Sequence, residues 1–586
     1  MGYYLNSTQA LTLYKSEVDS PYFVDKSLLL RELFPLVKIG NKHVCITRPR
    51  RFGKSVMAAM VASFFGRGID SSEIFDSLKI AGKTEEADDS TGSATENSGA
   101  VISRSVCLAD SLDIVPEPEK PKKNKEIFDY RDFLNRYNVI YINFIEPANL
   151  SKNYDQFIHR VENVLSRDLH REFSHVDFWD DAAPQEDMTL IHEETGEKFI
   201  FVMDEWDCIF HKNYTTDDDR RSFINWLAAL TKDKAYVALT YMTGVLPIAK
   251  YSSGSTINHF DEYTMSIQPK FSEFFGFTEK EVDMLFQRYL EEERTPKITR
   301  EDLKLWYDGY YTAGGDRLYN PRSVVKALSN NCLASYWTTS GSYGEIAAYI
   351  KNDRADIRKD VALMVTGEAV PTNVEEYAAT AMQLTTRTEI LSAMVVYGFL
   401  NYEDGKVRIP NKELMDEFAK TIREREDLGY INRLAMESDR MLEATLTGNT
   451  RTMAEILQFA HDSETPLLSY NHESELTAIV NLVYLSARDK YFVEREDKAG
   501  RGYVDFIFYP VDPGEDGIIL ELKVNSTPEK ALQQIKDKGY VMKFRGKMAD
   551  KKQRAGQIRL VGIGYSKKTK KHRCKVEVLR PSQGSY

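Results

Sequence analysis

Cysteine is scarce: Cys45, Cys107, Cys208, Cys332 and Cys574 are the only five in 586 residues, and each stands alone. Without CxxC pairing they indicate neither a disulfide framework nor a zinc site, and they read as small buried hydrophobes. No apolar run reaches the roughly 18 residues that a membrane-spanning helix needs. The opening MGYYLNSTQALTLYKSEVDS also lacks the basic-then-apolar order of a signal peptide. A cytoplasmic location with no membrane contact is therefore expected. Apolar residues themselves are not lacking: 42% are hydrophobic and 11% aromatic, against 28% charged, enough for several cores. At roughly 100–200 residues per domain, the length implies about three to five folding units.

The net charge of −12 argues against a surface coated throughout for nucleic acid, but the average hides a split. Residues 521–586 carry 18 Lys and Arg against 5 Asp and Glu, a balance of +13, which leaves −25 on the 520 residues before them. Lys543, Arg545, Lys547, Lys551, Lys552 and Arg554, then Lys567, Lys568, Lys570, Lys571 and Arg573, would neutralise a phosphate backbone or simply solvate a surface. Both readings stay open.

Residues 83–125, rich in Ser, Thr, Asp, Glu, Pro and Lys, read as a flexible insertion. Around it, β-rich apolar runs at 43–47, 139–144, 199–207 and 236–244 alternate with helical segments, which implies a mostly parallel α/β sheet. The span 278–465 reads as helical, with Trp306, Tyr307, Tyr310, Tyr319, Tyr336 and Trp337 as core and hinge packing. After Pro466 the pattern predicts a second, smaller α/β unit: a helix from Glu473 to Arg488, the strands YFVER, YVDFIFY and GIILELKV, a helix around 529–540, and the strand IRLVGIGY. The predicted domains are thus 1–277, 278–465 and 466–586.

Two segments carry chemistry. In HVCITRPRRFGKSVM a strand turns through Gly53-Lys54-Ser55 into a helix, the setting in which backbone N–H groups, an ammonium and a hydroxyl hold a nucleotide phosphate and its Mg²⁺. Arg48 occupies the position of the usual first glycine; Arg48, Arg50 and Arg51 either add phosphate contacts or coat the surface. In FIFVMDE, Asp204 and Glu205 end an apolar strand where an α/β sheet places its ligand crevice. Asp204 is read as part of the Mg²⁺ shell and Glu205 as the residue orienting or deprotonating the attacking water. Thr243, at the end of the next strand, is read as a γ-phosphate sensor or a holder of that water. Near the C-terminus, Asp505 lies in one strand of a predicted hairpin and Glu521 and Lys523 project from one face of the other. Two carboxylates there suit Mg²⁺, with the lysine positioning or activating water; an ion pair between Glu521 and Lys523 is the alternative. Glu473 or Glu475 could lend a third acid, and Gln534 and Tyr540 could touch substrate.

YFVDKSLLL, RPRRFGKS, VMDEWD, LTYMTGV, WYDGYY, LYNPRSV and YWTTSG resemble the AAA-ATPase-like proteins widespread in bacterial genomes. AGRGYVDFIFY, IILELKV and ALQQIKDKGY resemble a PD-(D/E)XK nuclease-superfamily domain. The resemblance implies a P-loop NTPase-type parallel sheet, a central helical lid or bundle, and a C-terminal nuclease-like α/β domain. It makes the Arg at 48 usual and assigns Lys54, Ser55, Asp204 and Glu205 as the nucleotide set; with the residue reading above, ATP is expected along Arg48, Pro49, Arg50, Arg51, Phe52, Gly53, Lys54 and Ser55 and at Thr243. Residues 300–341 would be the lid, with Arg322 as a phosphate-sensing arginine. Asp505, Glu521 and Lys523 would be the catalytic set of a Mg²⁺- or Mn²⁺-dependent nuclease acting on DNA in preference to RNA. The rival expectation is a nucleotide-switched module that binds nucleic acid or protein without cutting. A homo-oligomer is compatible with either.

Overall fold

The computed structural model describes residues 2–68, 70–82, 128–248, 257–265, 268, 270–337, 357–365, 367–374, 384, 386–426, 430–462, 473–494, 505–550 and 556–579. The insertion expected at 83–125 lies outside them.

The first sheet consists of β1 (Lys42–Thr47), β2 (Asn138–Asn143), β3 (Phe199–Asp204), β4 (Val237–Gly244) and β5 (Asp261–Thr264). Its order is β2-β3-β4-β1-β5 and every pairing is parallel. Parallel strands covered on both faces read as unbroken apolar runs, which is why β1 to β4 are visible in the sequence. Alternate residues enter opposite cores. Ile140, Phe201, Met203 and Met242 face one, whereas Val44, Ile46, Val202 and Tyr241 face the helices Leu29–Ile39 and Lys54–Phe65. The edge strand β5, DEYT, lacks the apolar run and does not stand out in the sequence.

The middle of the chain is mainly helical, and its helices start where their caps predict. Thr278, Thr299, Asn320, Thr386 and Asn411 each accept a backbone N–H from the first turn that follows. The helical reading of this span holds, with an addition that it did not name. Two small antiparallel sheets, β6 (Tyr310–Tyr311) with β7 (Arg317–Leu318), and β8 (Val370–Pro371), β9 (Asn401–Glu403) and β10 (Lys406–Arg408), interrupt the helices. Strands of two or three residues are too short to show a period of two. Tyr307, Tyr310, Tyr319 and Trp337 are buried, as packing residues should be.

The C-terminal sheet runs β11 (Tyr491–Glu494), β12 (Phe506–Pro510), β13 (Gly517–Val524), β14 (Ile558–Ser566), β15 (Lys571–Leu579), antiparallel except for the parallel β13–β14 pair. The crossover between β13 and β14 holds two helices, Pro528–Asp537 and Tyr540–Asp550, where one was expected; Gly539, at φ +70°, separates them. The helix beginning at Glu473 stops at Val483 and tightens into a 3-10 turn at Leu485–Asp489. One sheet face, with Ile507, Ile519 and Leu560, packs on Leu532, Ile535 and Phe544. The opposite face, with Phe508, Leu520, Leu522 and Ile563, joins the core built by Met441, Leu442, Leu457 and Val480.

Candidate functional site

Between the end of β1 at Thr47 and the helix that starts at Lys54, the loop curls through two left-handed residues, Arg51 at φ +72° and Gly53 at φ +86°. The Lys54 ammonium lies inside this curl, 3% exposed. It donates to the carbonyls of Arg48 and Pro49, both at 3.1 Å, and stands 3.9 Å from Glu205 Oε1. Phe52 is a packing residue, edge-on to Tyr310 at 4.9 Å. The Arg48 side chain does not face the loop's mouth. Its guanidinium donates to the Thr47 and Tyr263 carbonyls at 2.8 Å, lies 5.0 Å over the Phe275 ring, and is pushed by burial down to about 9. Arg48 thus ties β1 to β5, and a phosphate contact from its side chain is not what the structure shows. Arg50 lies 5.8 Å over Tyr397. Burial lowers the Arg51 pKa, and the neighbouring cations Arg322 and Arg50 lower it further. Arg322, exposed at the start of the helix Pro321–Asn330, is therefore gathered with the loop arginines.

The carboxyl ends of three strands meet beside this loop. Asp204 is fully buried; the Thr243 hydroxyl donates to its Oδ1 at 2.6 Å and the Asn143 amide to its Oδ2 at 2.9 Å. Burial raises the Asp204 pKa, against hydrogen bonds from Thr243 and Ser55 and the charge of Lys54. Thr243 therefore acts on Asp204. Glu205 turns the chain at φ +53°, a left-handed conformation rare outside glycine, and its carboxyl pKa is raised by burial and opposed by Lys54. Asp207 accepts the N–H groups of Val245 (3.1 Å) and Leu246 (2.8 Å) and so fixes the turn after β4. Sequence reasoning misses Asn143 and Asp207; the one available signal for Asn143 is its place at the end of VIYINF, level with Asp204 across the sheet.

The second site lies on the C-terminal sheet. Asp505 sits one residue before β12 rather than within it, and its carboxylate Oδ2 accepts the Leu522 N–H at 2.5 Å. Glu521 is 1% exposed, and Lys523 donates to its Oε1 at 2.7 Å. Burial, then the charge of Asp505, pushes Glu521 up to about 7, with Lys523 and the Asp505 backbone N–H opposing. Asp505 and Glu521 are thus neighbours, and the ion pair named as an alternative exists alongside them. Glu521 Oε2 is buried without a hydrogen-bond partner among the described residues. An orphaned carboxylate oxygen next to a second carboxylate is a hard oxygen donor set, and Mg²⁺ or Mn²⁺ fits it. The side chains of Glu473 and Glu475 lie outside the described residues, as do Lys551, Lys552 and Arg554. Gln534 is half-buried on the helix Pro528–Asp537, and Tyr540 is buried in the apolar cluster under the sheet. Lys543 and Lys547 pair with Glu494 at 3.7 and 2.6 Å, whereas Lys567, Lys568, Lys570, Lys571 and Arg573 are exposed on the β14–β15 hairpin.

One chain thus carries a loop closed around a buried lysine at the end of a parallel sheet and, in a second sheet, two neighbouring carboxylates with a lysine. Residues 15–93 match the AAA-ATPase-like family, described as "Predicted AAA-ATPase", and residues 473–574 match the PD-(D/E)XK nuclease superfamily. The chain is 25% identical over 395 residues to the "Uncharacterized protein in vnfD 5'region" of Azotobacter chroococcum mcd 1, covering 64% of this chain and 71% of that protein. Among solved structures it is similar to the Walker-type ATPase PABY2304 of Pyrococcus abyssi, at 11% identity and a TM-score of 0.35 over 67% of this chain and 94% of that one. It is also similar to the ORC2 protein of Aeropyrum pernix in ADPNP–ADP complexes, at 11% identity and a TM-score of 0.31 over 67% and 93%. Among the described residues no helix is long and apolar enough to cross a membrane.

Proposed function

We propose that the protein is an ATP-controlled, divalent-metal-dependent nuclease, with ATP held by residues 48–55, 204 and 205 and phosphodiester cleavage at Asp505, Glu521 and Lys523. The observation that carries the reading is the buried, unpartnered Glu521 Oε2 beside Asp505, with Lys523 on the same strand face. A buried carboxylate is costly unless a proton or a cation compensates it. Asp505 and Glu521 would hold the cation, which when bound supplies positive charge against the phosphate and acidifies water. Lys523 would orient the attacking water through its ammonium, which now rests on Glu521. At the nucleotide loop, Lys54 would move from the loop carbonyls to the outer phosphates, while Ser55 and Asp204 would hold Mg²⁺. Glu205, 3.9 Å from Lys54, would orient water at the γ-phosphate. Arg50, Arg51 and Arg322 supply further positive charge at the mouth.

The exposed basic hairpin favours nucleic acid as substrate, with DNA proposed ahead of RNA, and the protein is proposed to act in the bacterial cytoplasm. The proposed units are 1–277, 278–465 and 466–586. The test is purified protein with end-labelled DNA and RNA, with and without ATP, and with Mg²⁺, Mn²⁺ or EDTA. Metal-dependent shortening of DNA, lost in Asp505→Ala and Glu521→Ala while ATP turnover persists, is expected. Equal DNA binding in EDTA and Mg²⁺ with no shortening would instead select the non-cutting switch.

A further inference from the structure

The nucleotide loop is held from behind by residues far along the chain. Trp337, 1% exposed and edge-on to Phe399 at 5.1 Å, donates its indole N–H to the Arg50 carbonyl at 3.2 Å. Trp337 is itself held by Glu413, whose Oε1 accepts the backbone N–H groups of Tyr336 and Trp337 at 2.6 Å and the Ser323 hydroxyl at 3.0 Å. Gly398, at φ +84°, lies so close to Pro49 that an added Cβ would stand 2.6 Å from the proline ring, and its carbonyl accepts the Tyr310 hydroxyl at 3.0 Å. The indole hydrogen bond and the close approach of Gly398 both bear on residues 49–50, the outer limb of the curl that encloses Lys54.

Glu413 opens the helix Lys412–Glu424, which is about 20 Å long at 1.5 Å per residue. At the other end of that helix Arg423 makes a two-point ion pair with Asp489, at 2.8 and 3.4 Å. Asp489 ends the 3-10 turn that leads directly into β11, the first strand of the C-terminal sheet. One helix therefore touches the backing of the nucleotide loop at its first turn and the entry to the carboxylate-bearing sheet at its last.

We propose that Glu413 and Trp337 are positioning residues of the nucleotide loop, and that the helix Lys412–Glu424 conveys the state of that loop to the C-terminal site. The inference rests on the ATP-controlled nuclease reading and gives that control a physical route. A loop that shifts as Lys54 leaves the carbonyls of 48 and 49 moves the Arg50 carbonyl, hence Trp337, hence the first turn of a rigid helix whose far end is clamped to Asp489.

The test uses full-length protein, the fluorescent nucleotide mant-ATP, and cleavage of end-labelled DNA with and without ATP. Trp337→Phe keeps the ring against Phe399 and deletes the donor, so mant-ATP affinity should fall about 3- to 10-fold. Glu413→Ala should reproduce that loss and Glu413→Gln, which keeps an acceptor, should restore it. Arg423→Ala should leave mant-ATP affinity unchanged while the ratio of cleavage with ATP to cleavage without it falls toward one. Wild-type affinity in Trp337→Phe, or a wild-type ratio in Arg423→Ala, would overturn the inference alone. Wild-type protein that neither binds mant-ATP nor cuts DNA would overturn the parent reading and this inference with it.

Discussion

Lys54 and Glu413 show how differently two buried ionisable side chains are compensated. Lys54 is satisfied by carbonyls and a carboxylate within its own site, so its loss should be felt by ligand more than by fold. Lys54→Ala is expected to weaken ATP binding by about 10- to 100-fold, the worth of a charged hydrogen bond, measured by calorimetric titration. Glu413 is 1% exposed, and burial pushes its carboxyl from an ordinary 4.5 up to about 7. Between those values the folded protein keeps a proton that the unfolded chain has lost. The stability due to this group is thus fully present below about 4.5 and is lost as pH rises through about 7, by about 3 kcal/mol in all. Urea unfolding of Glu413→Gln should match wild type at pH 5 and exceed it at pH 8; an equal gap at both would contradict the assignment. Lys54, Ser55, Asp204, Glu521 and Lys523 are legible in the sequence because each sits in a short motif whose chemistry is local. Arg48, Asn143 and Glu413 are misread or passed over, since their partners lie tens to hundreds of residues away.

At the scale of elements, legibility follows periodicity. Strands β1 to β4 and β12 to β14 announce themselves as apolar runs, whereas β5, β6 to β10 and the charged β15 do not. β15 alternates charge with apolar residues, and its lysines and arginines read as a charge cluster before they read as a period of two. Caps set the helices firmly. Asn320 is fully buried, caps the helix Pro321–Asn330 by accepting the Ser323 N–H at 3.1 Å, and so places Arg322 beside the nucleotide loop. Asn320→Ala should cost about 1 kcal/mol of stability in urea unfolding and Asn320→Asp much less. A parallel loss of ATP affinity in the alanine variant, restored in the aspartate, would tie that helix start to the nucleotide.

For the molecule as a whole, charge is segregated: residues 1–520 carry −25 and residues 521–586 carry +13. Nucleic acid should therefore engage only the C-terminal end. Replacing the exposed Lys568, Lys570, Lys571 and Arg573 with alanine should flatten the dependence of DNA binding on salt, by about 0.7 to 0.9 in log–log slope for each phosphate no longer neutralised. Fluorescence anisotropy across a KCl series reads this directly, and an unchanged slope would remove the hairpin from the binding surface. The C-terminal sheet also gives its inner face, Phe508, Leu520, Leu522 and Ile563, to the helices that precede it. An expression fragment begun after residue 465 would bare that greasy plane to water and should precipitate or self-associate. A fragment that keeps the C-terminal sheet folded will have to retain the segment from Ser438 onward, whose Met441, Leu442 and Leu457 belong to the same core.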